Sequence, residues 1–302
     1  MRKLSPDFFK ELKAGSLTPL LKYVIADNTL DLEIRDNYIN IYYRGGNILD
    51  VKFRKPNFLF HFEEKYFKKD PLIKADIDHY KSVRDWNKFF PIAKQSMDIY
   101  FTIHTKQERE YQQLVVRENN NSSIANGTDY FIIDIEYDNS DKSRFDLIAI
   151  DWPSVSSARK LAKQFSPKLV IIEMKYGDHA LSGSAGMMKH WTDFHRFISN
   201  PIANANFKNE MLELFEQKRK LGLIPCLSTE KNKNPILKFN ATIELAFLIA
   251  NHDPESTKLK TELTSLGAIP AKFIASNFMG YGIYNESVYK LDDFKARFKN
   301  QF

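Results

Sequence analysis

Apolar and polar residues change rhythm several times along the chain, and each change predicts a different element. Over 6–25 the apolar positions recur at helical spacing, which predicts short amphipathic helices. From 29 to 67 the period shortens to two in TLDLEIRD, YINIYYRGG, NILDVKF and NFLFHFEEKYF. Asp36-Asn37 and Gly45-Gly46 stand where reversals are needed, so this stretch predicts a small antiparallel meander. A polar, charged helix is expected over 76–90, with Pro91 in the first turn of the next one. That next helix is predicted over 92–118, with Met97, Phe101, His104, Glu108, Tyr111, Gln112 and Val115 on one stripe and Glu110 on the opposite side.

NNNSSIANG ends the helix, and three strands follow at 130–138, 144–151 and 169–176, the last two separated by a basic helix, SVSSARKLAKQF. A loop of small residues, DHALSGSAGM (178–187), leads to the helix GMMKHWTDFHRFI. The remainder reads as a helix over 206–221, a strand near 236–250, a helix near 256–265, a strand near 271–284 and a terminal helix. The change from meander to long helix places a domain division near 90, giving an N-terminal α+β domain over 1–90 and a second domain over 91–302.

Composition narrows the function only slightly. The 44 basic residues stand against 38 acidic ones, so the net charge of +6 permits a polyanionic partner without requiring one. A single cysteine, Cys226, excludes an internal disulfide framework and a multi-cysteine metal site, and its setting LIPCL reads as a buried small hydrophobe. The opening MRKLSPDFFKELKAG lacks an apolar signal-peptide core, and the longest apolar run, AFLIA at 246–250, is far too short to cross a bilayer. The expectation is a cytoplasmic protein with no membrane partner.

Candidate chemistry concentrates in the central strands. Side chains alternate faces along a strand, so in KLVIIEMKYG (168–177) Glu173 and Lys175 share a face with Leu169 and Ile171. Asp146 shares a face with Ile148 and Ile150 on the preceding strand, and an antiparallel pairing would bring it beside Glu173 and Lys175. Glu108, on an otherwise apolar or weakly polar helix stripe, is the fourth member. A charge on a core-facing stripe costs several kcal/mol unless paired or bound to a cation. Three carboxylates and a lysine could satisfy one another around a hard divalent ion, which takes oxygen ligands.

The acid-x-Lys triplet alone carries little, because it occurs six times in this chain. The serious competitor is Asp50-Val51-Lys52, but the strand before it, YINIYY, has no carboxylate and another strand follows it. The order helix-Glu108, strand, strand-Asp146, strand-Glu173-x-Lys175, helix resembles the PD-(D/E)XK, or restriction-endonuclease-like, nuclease superfamily, from Glu108 through Phe197. The resemblance implies an αβββαβ core with a mixed sheet (α+β or α/β), preceded here by the meander and its helices. It implies a Mg²⁺- or Mn²⁺-dependent phosphodiesterase acting on nucleic acid, DNA before RNA, in a restriction, repair or defence setting. Asp146 and Glu173 would be the metal ligands with the backbone carbonyl of Met174, Glu108 would complete the shell, and Lys175 would orient or activate water. The chain departs from the family pattern in carrying Phe145 where the nominal proline stands, and Lys189 and His190 where many relatives place a glutamine.

Other residues stay open on sequence alone. A five-residue loop over 139–143 sets Glu136 opposite Asp146 as a further candidate ligand, whereas a four-residue loop swings it away; Asp134 shares the face of Glu136. Lys189, His190 and Arg196 are candidate nucleic-acid contacts or a solvated helix face. Tyr38, Tyr42, Tyr43, Phe58 and Phe60 read as a packed sheet face or a recognition surface. The alternative functions are a catalytically inactive nucleic-acid- or partner-binding module on the same fold, and a glycosidase whose carboxylate pair is Glu173 with Glu136 or Asp146. Lys175 beside Glu173 would hold it ionised, which disfavours a general acid there.

Overall fold

Alternation over 30–61 does form the expected meander. A computed structural model of the chain describes all residues except 69, 139–143, 157, 159–165, 184–185, 225–237, 254, 277–279 and 298–302. Two compact units result: Met1–Gln113 with Glu213–Lys231, and Leu114–Leu212 with Asn232–Phe302. The protein is mixed α+β, with an antiparallel four-stranded sheet in the first unit and a mixed six-stranded sheet in the second. Among the described residues, no helix is long and apolar enough to cross a membrane.

In the first unit, α1 (Pro6–Ala14) and α2 (Thr18–Ala26) precede β1 (Leu30–Ile34), β2 (Tyr38–Tyr43), β3 (Gly46–Arg54) and β4 (Asn57–His61), paired in that order. The second reversal uses Arg44-Gly45, both at positive φ, rather than the expected Gly45-Gly46. Gly45 is required there, since a β-carbon would stand 2.4 Å from the Arg109 backbone. The Gln113 side-chain amide ties this corner down, accepting from Gly45 N and donating to the carbonyls of Thr29 and Tyr42. The meander aromatics are half-buried and pack: Phe58 lies against Phe8 and Phe53, and Phe60 against Trp86.

The expected helices over 76–90 and 92–118 are differently divided. They form α3 (Pro71–Ser82), α4 (Trp86–Ile103) and α5 (Gln107–Asn120). Arg84 at positive φ separates the first two, and Pro91 falls inside α4 rather than in its first turn. The run Thr102-Ile103-His104-Thr105 is poor in helix formers and ends α4. Phe89, Phe90, Ala93, Met97 and Phe101 are buried on α4, so residues 91–113 belong to the first unit instead of opening a second domain at 91. The first unit also takes in the end of α7 (Pro201–Leu221), where Lys218 donates to the fully buried Glu33 of β1 at 2.7 Å.

The second unit is built on the sheet order β10-β9-β8-β7-β6-β5. Strands β5 (Tyr130–Asp138), β6 (Arg144–Asp151) and β7 (Lys168–Tyr176) run antiparallel in succession. After α6 (Met187–Ile198) and the start of α7, β8 (Ile243–Ala250) pairs parallel with β7. Helix α8 (Thr257–Ser265) leads to β9 (Lys272–Ser276), parallel to β8. The strand expected over 271–284 is therefore shorter, and Val288–Lys290 forms an unforeseen antiparallel β10 before α9 (Leu291–Arg297). The segment 281–283 is instead held by Asn119 of α5, whose amide donates to Tyr281 O and accepts from Ile283 N. Cys226 and most of the basic helix expected after β6 lie outside the described residues.

The buried Lys218–Glu33 pair gives a stability prediction for the first unit. Lys218→Ala should destabilise it by about 3 kcal/mol, because the fully buried Glu33 carboxylate loses its 2.7 Å ion pair. Lys55→Ala, which removes the exposed ion pair with Asp7, should leave the denaturation midpoint unchanged. Chemical denaturation of the two variants measures the contrast.

Candidate active site

Register between β6 and β7 builds the candidate site. Their paired rungs run from Asp151 opposite Lys168 to Leu147 opposite Ile172, and Asp146 and Glu173 are the next residues along each strand. There the backbone N–H of Met174 donates to Asp146 Oδ2 at 2.8 Å. On its other side β7 is covered by β8, with Glu173 level with Phe247 and Lys175 level with Ile249. Asp146, Glu173 and Lys175 are therefore all buried, Glu173 completely and Lys175 to 3% exposure.

Helix α6 supplies the neighbouring polar group. His190 places Nδ1 2.7 Å from Glu173 Oε2. Burial, and then the Lys175 ammonium, push the imidazole pKa down to about 4, against the opposing pull of Asp146 and Asp193. His190, a candidate nucleic-acid contact or part of a solvated helix face on sequence alone, lies against the buried Glu173 carboxylate. Lys189 and Arg196 both pair with Asp193, Arg196 at 3.1 Å, so their charges are met within the helix. Asp193, itself buried, was not singled out from sequence, although its i−4 and i+3 spacing to these two bases was the available signal.

Glu136 follows the five-residue-loop alternative in register, since Asp138 pairs with Arg144 and Tyr137 with Phe145. Its backbone, however, is left-handed (φ 53°), and its carboxylate meets Arg144 at 3.2 Å. The loop 139–143 itself lies outside the described residues. Asp134, fully buried, follows a bulge between Ile132 and Asp134 and pairs with Ile148. Glu108 belongs to the first unit, where it is half-buried in the first turn of α5. The competing triplet sits in β3, where Asp50 is held by His61 at 2.7 Å.

Among the described residues, no cluster of three or more His, Cys, Asp or Glu side chains is arranged to hold a metal ion. What β6 and β7 offer is the Asp146 carboxylate held against the Met174 N–H, with the buried Glu173 the residue before it. Carboxylate oxygens are the donors that a small hard cation takes, commonly one or two of them with several waters. A cavity of about 740 Å³ in the same unit, lined by Trp191, Phe194, His195 and Ile269 among others, does not include these residues.

A second charged cluster lies at the other end of the same strands. Asp151 of β6 opposes Lys168 of β7, and Lys168 donates to Glu244 of β8 at 2.6 Å. Burial, followed by repulsion from Glu244, raises the Asp151 pKa from 3.8 to about 6. No family model matches this chain, and neither a curated protein nor a solved structure matches it significantly.

The raised pKa of Asp151 fixes the sign of a pH effect. The folded protein binds this proton more tightly than the unfolded chain, so the group favours folding below 3.8 and progressively loses that contribution as pH rises through 6. Asp151→Asn should therefore stabilise the protein at pH 7.5 by on the order of 1 kcal/mol, allowing for solvent screening. The gain should shrink towards zero at pH 4, as read by denaturation midpoints at the two pH values.

Proposed function

We propose that the second unit is a metal-dependent phosphodiesterase that cleaves nucleic acid, with DNA the first substrate to test, on the plan of the PD-(D/E)XK nucleases. The observation that carries this reading is the Asp146 carboxylate of β6 accepting from the Met174 N–H of β7, between the buried Glu173 and Lys175. The order α5, β5, β6, β7, α6, β8, with β8 parallel to β7, supports it. Asp146, Glu173 and Lys175 all belong to the second unit.

Asp146 and Glu173 would hold the cation, with the Met174 carbonyl as a third oxygen. When bound, the cation would supply Lewis-acid polarisation of the scissile phosphate and lower the pKa of a coordinated water. The chain's own groups do the rest. The Met174 N–H orients Asp146 through its 2.8 Å bond, so one carboxylate oxygen is committed to the backbone. Lys175 carries the positive charge that can orient a water and stabilise negative charge growing on phosphate oxygens. Burial strengthens that effect, because the ammonium acts through a medium of lower dielectric than water.

Incubation of the full chain with plasmid and single-stranded DNA in Mg²⁺ or Mn²⁺ tests the reading. Cleavage should need the metal, stop in chelator, and fall by about a hundredfold or more in Asp146→Asn and Lys175→Met. Cleavage that survives in either variant, or persists in chelator, would contradict it.

A further inference from the structure

We infer that the cavity of about 740 Å³ beside α6 is a subsite for one unstacked nucleotide of the nucleic-acid strand proposed as substrate, with its base against Trp191 and its phosphate at Lys272 and Lys290. The inference rests on the phosphodiesterase reading and names where the strand is gripped away from the point of cleavage. Register supplies the placement. Ile243 and Leu245 line the cavity and lie level with Leu169 and Ile171, which share a strand face with Glu173. They precede Phe247, the residue level with Glu173, by four and two positions, which at about 3.3 Å per residue is roughly 7–13 Å. A stacked strand advances roughly 3.4 Å per nucleotide, so this span is about two to four nucleotides. Helix α6 serves both places: His190 lies against Glu173, and the next residue, Trp191, lines the cavity.

Chemistry selects the ligand. The volume falls within the range of roughly 300–1,000 Å³ typical of small-molecule sites. Phe194, Ile243 and Leu245 give it a buried apolar lining. Trp191 is half-buried, its ring 5.9 Å from Phe194 and 5.8 Å from His195, so it is braced and still presents surface. Such a ring stacks with any base, because every base has a π-face. Lys272 and Lys290 also line the cavity and stand directly opposite each other across β9 and β10. Like charges so placed repel. The charge of Lys272 reaches Asp151, yet among the described residues neither lysine forms an ion pair. Of the two acidic lining residues, Glu244 is engaged by Lys168 at 2.6 Å, which leaves Asp292 against two lysines. A phosphate relieves that repulsion; a purely apolar ligand leaves it unanswered.

Titration of the full chain with a single-stranded oligonucleotide in chelator, followed by anisotropy and tryptophan fluorescence, tests the subsite without cleavage. Trp86 and Trp152 are buried, so quenching should come from Trp191 and disappear in Trp191→Phe. Thermal melts check that each variant folds. Trp191→Ala should weaken binding about 5- to 100-fold, the size of one base–aromatic stack, and Trp191→Phe should keep most of the affinity. An oligonucleotide of the same length built of abasic units should bind wild type and Trp191→Ala alike. Lys290→Ala should weaken binding and reduce the slope of log K against log salt by about 0.7, as expected for one phosphate. Absent quenching in the wild type, unchanged affinity in a folded Trp191→Ala, or equal affinity for the oligonucleotide and a free nucleoside monophosphate would overturn the subsite. Metal-dependent cleavage by the same preparation would then leave the phosphodiesterase reading standing. Trp191-dependent binding with no cleavage in Mg²⁺ or Mn²⁺ would keep the nucleotide subsite and overturn that reading alone.

Discussion

The pairing of β6 with β7 is the constraint on which the second unit depends. Four successive apolar rungs, Leu147–Ile172, Ile148–Ile171, Ala149–Val170 and Ile150–Leu169, are buried and fix which residues meet. Full burial of each large side chain contributes about 1.5–3 kcal/mol, so together the rungs outweigh the few kcal/mol that setting two carboxylates side by side can cost. A slip of one residue would send the whole apolar set to the wrong faces. The same register carries Asp146 to β7, where its carboxylate accepts from the Met174 N–H, while His190 of α6 lies 2.7 Å from Glu173.

Buried polar side chains do comparable work elsewhere in this unit. The Asn120 amide bonds both the N–H and the carbonyl of Ile132, closing that position on the outer edge of β5. Asp129 accepts from the backbone of Ser154 through one oxygen and from Asn285 through the other, joining segments far apart in sequence. In the first unit Gln113 and the Lys218–Glu33 pair act alike, each tying a strand to a helix. Such groups are costly when unpaired and specific when paired, so they fix register and corner geometry that apolar packing alone leaves loose.

Much of this architecture was legible from periodicity. The apolar runs located β1 to β7, except that β4 stops at His61 where the run was followed to 67, because a strand with a buried face needs alternation or a continuous apolar run. Strand β10 was not legible: three residues, Val288–Lys290, are too few to carry a pattern. The division at 91 failed because composition changes there while packing does not, since the aromatic face of α4 is buried with the first unit. That Asp146 lies on β6 and Glu173 and Lys175 on β7 followed from the apolar runs around them. The use of His190, and the pairing of Glu136 with Arg144 rather than with a neighbour across the rung, depend on backbone geometry that spacing does not encode.

The central claim concerns where a dication would sit, and a crystal soaked in Mn²⁺ addresses it most directly through anomalous scattering. The account predicts a peak within bonding distance of the Asp146 and Glu173 carboxylates and the Met174 carbonyl. A peak held only by other residues, or none at a concentration that saturates Mn²⁺ sites of this class, would contradict it.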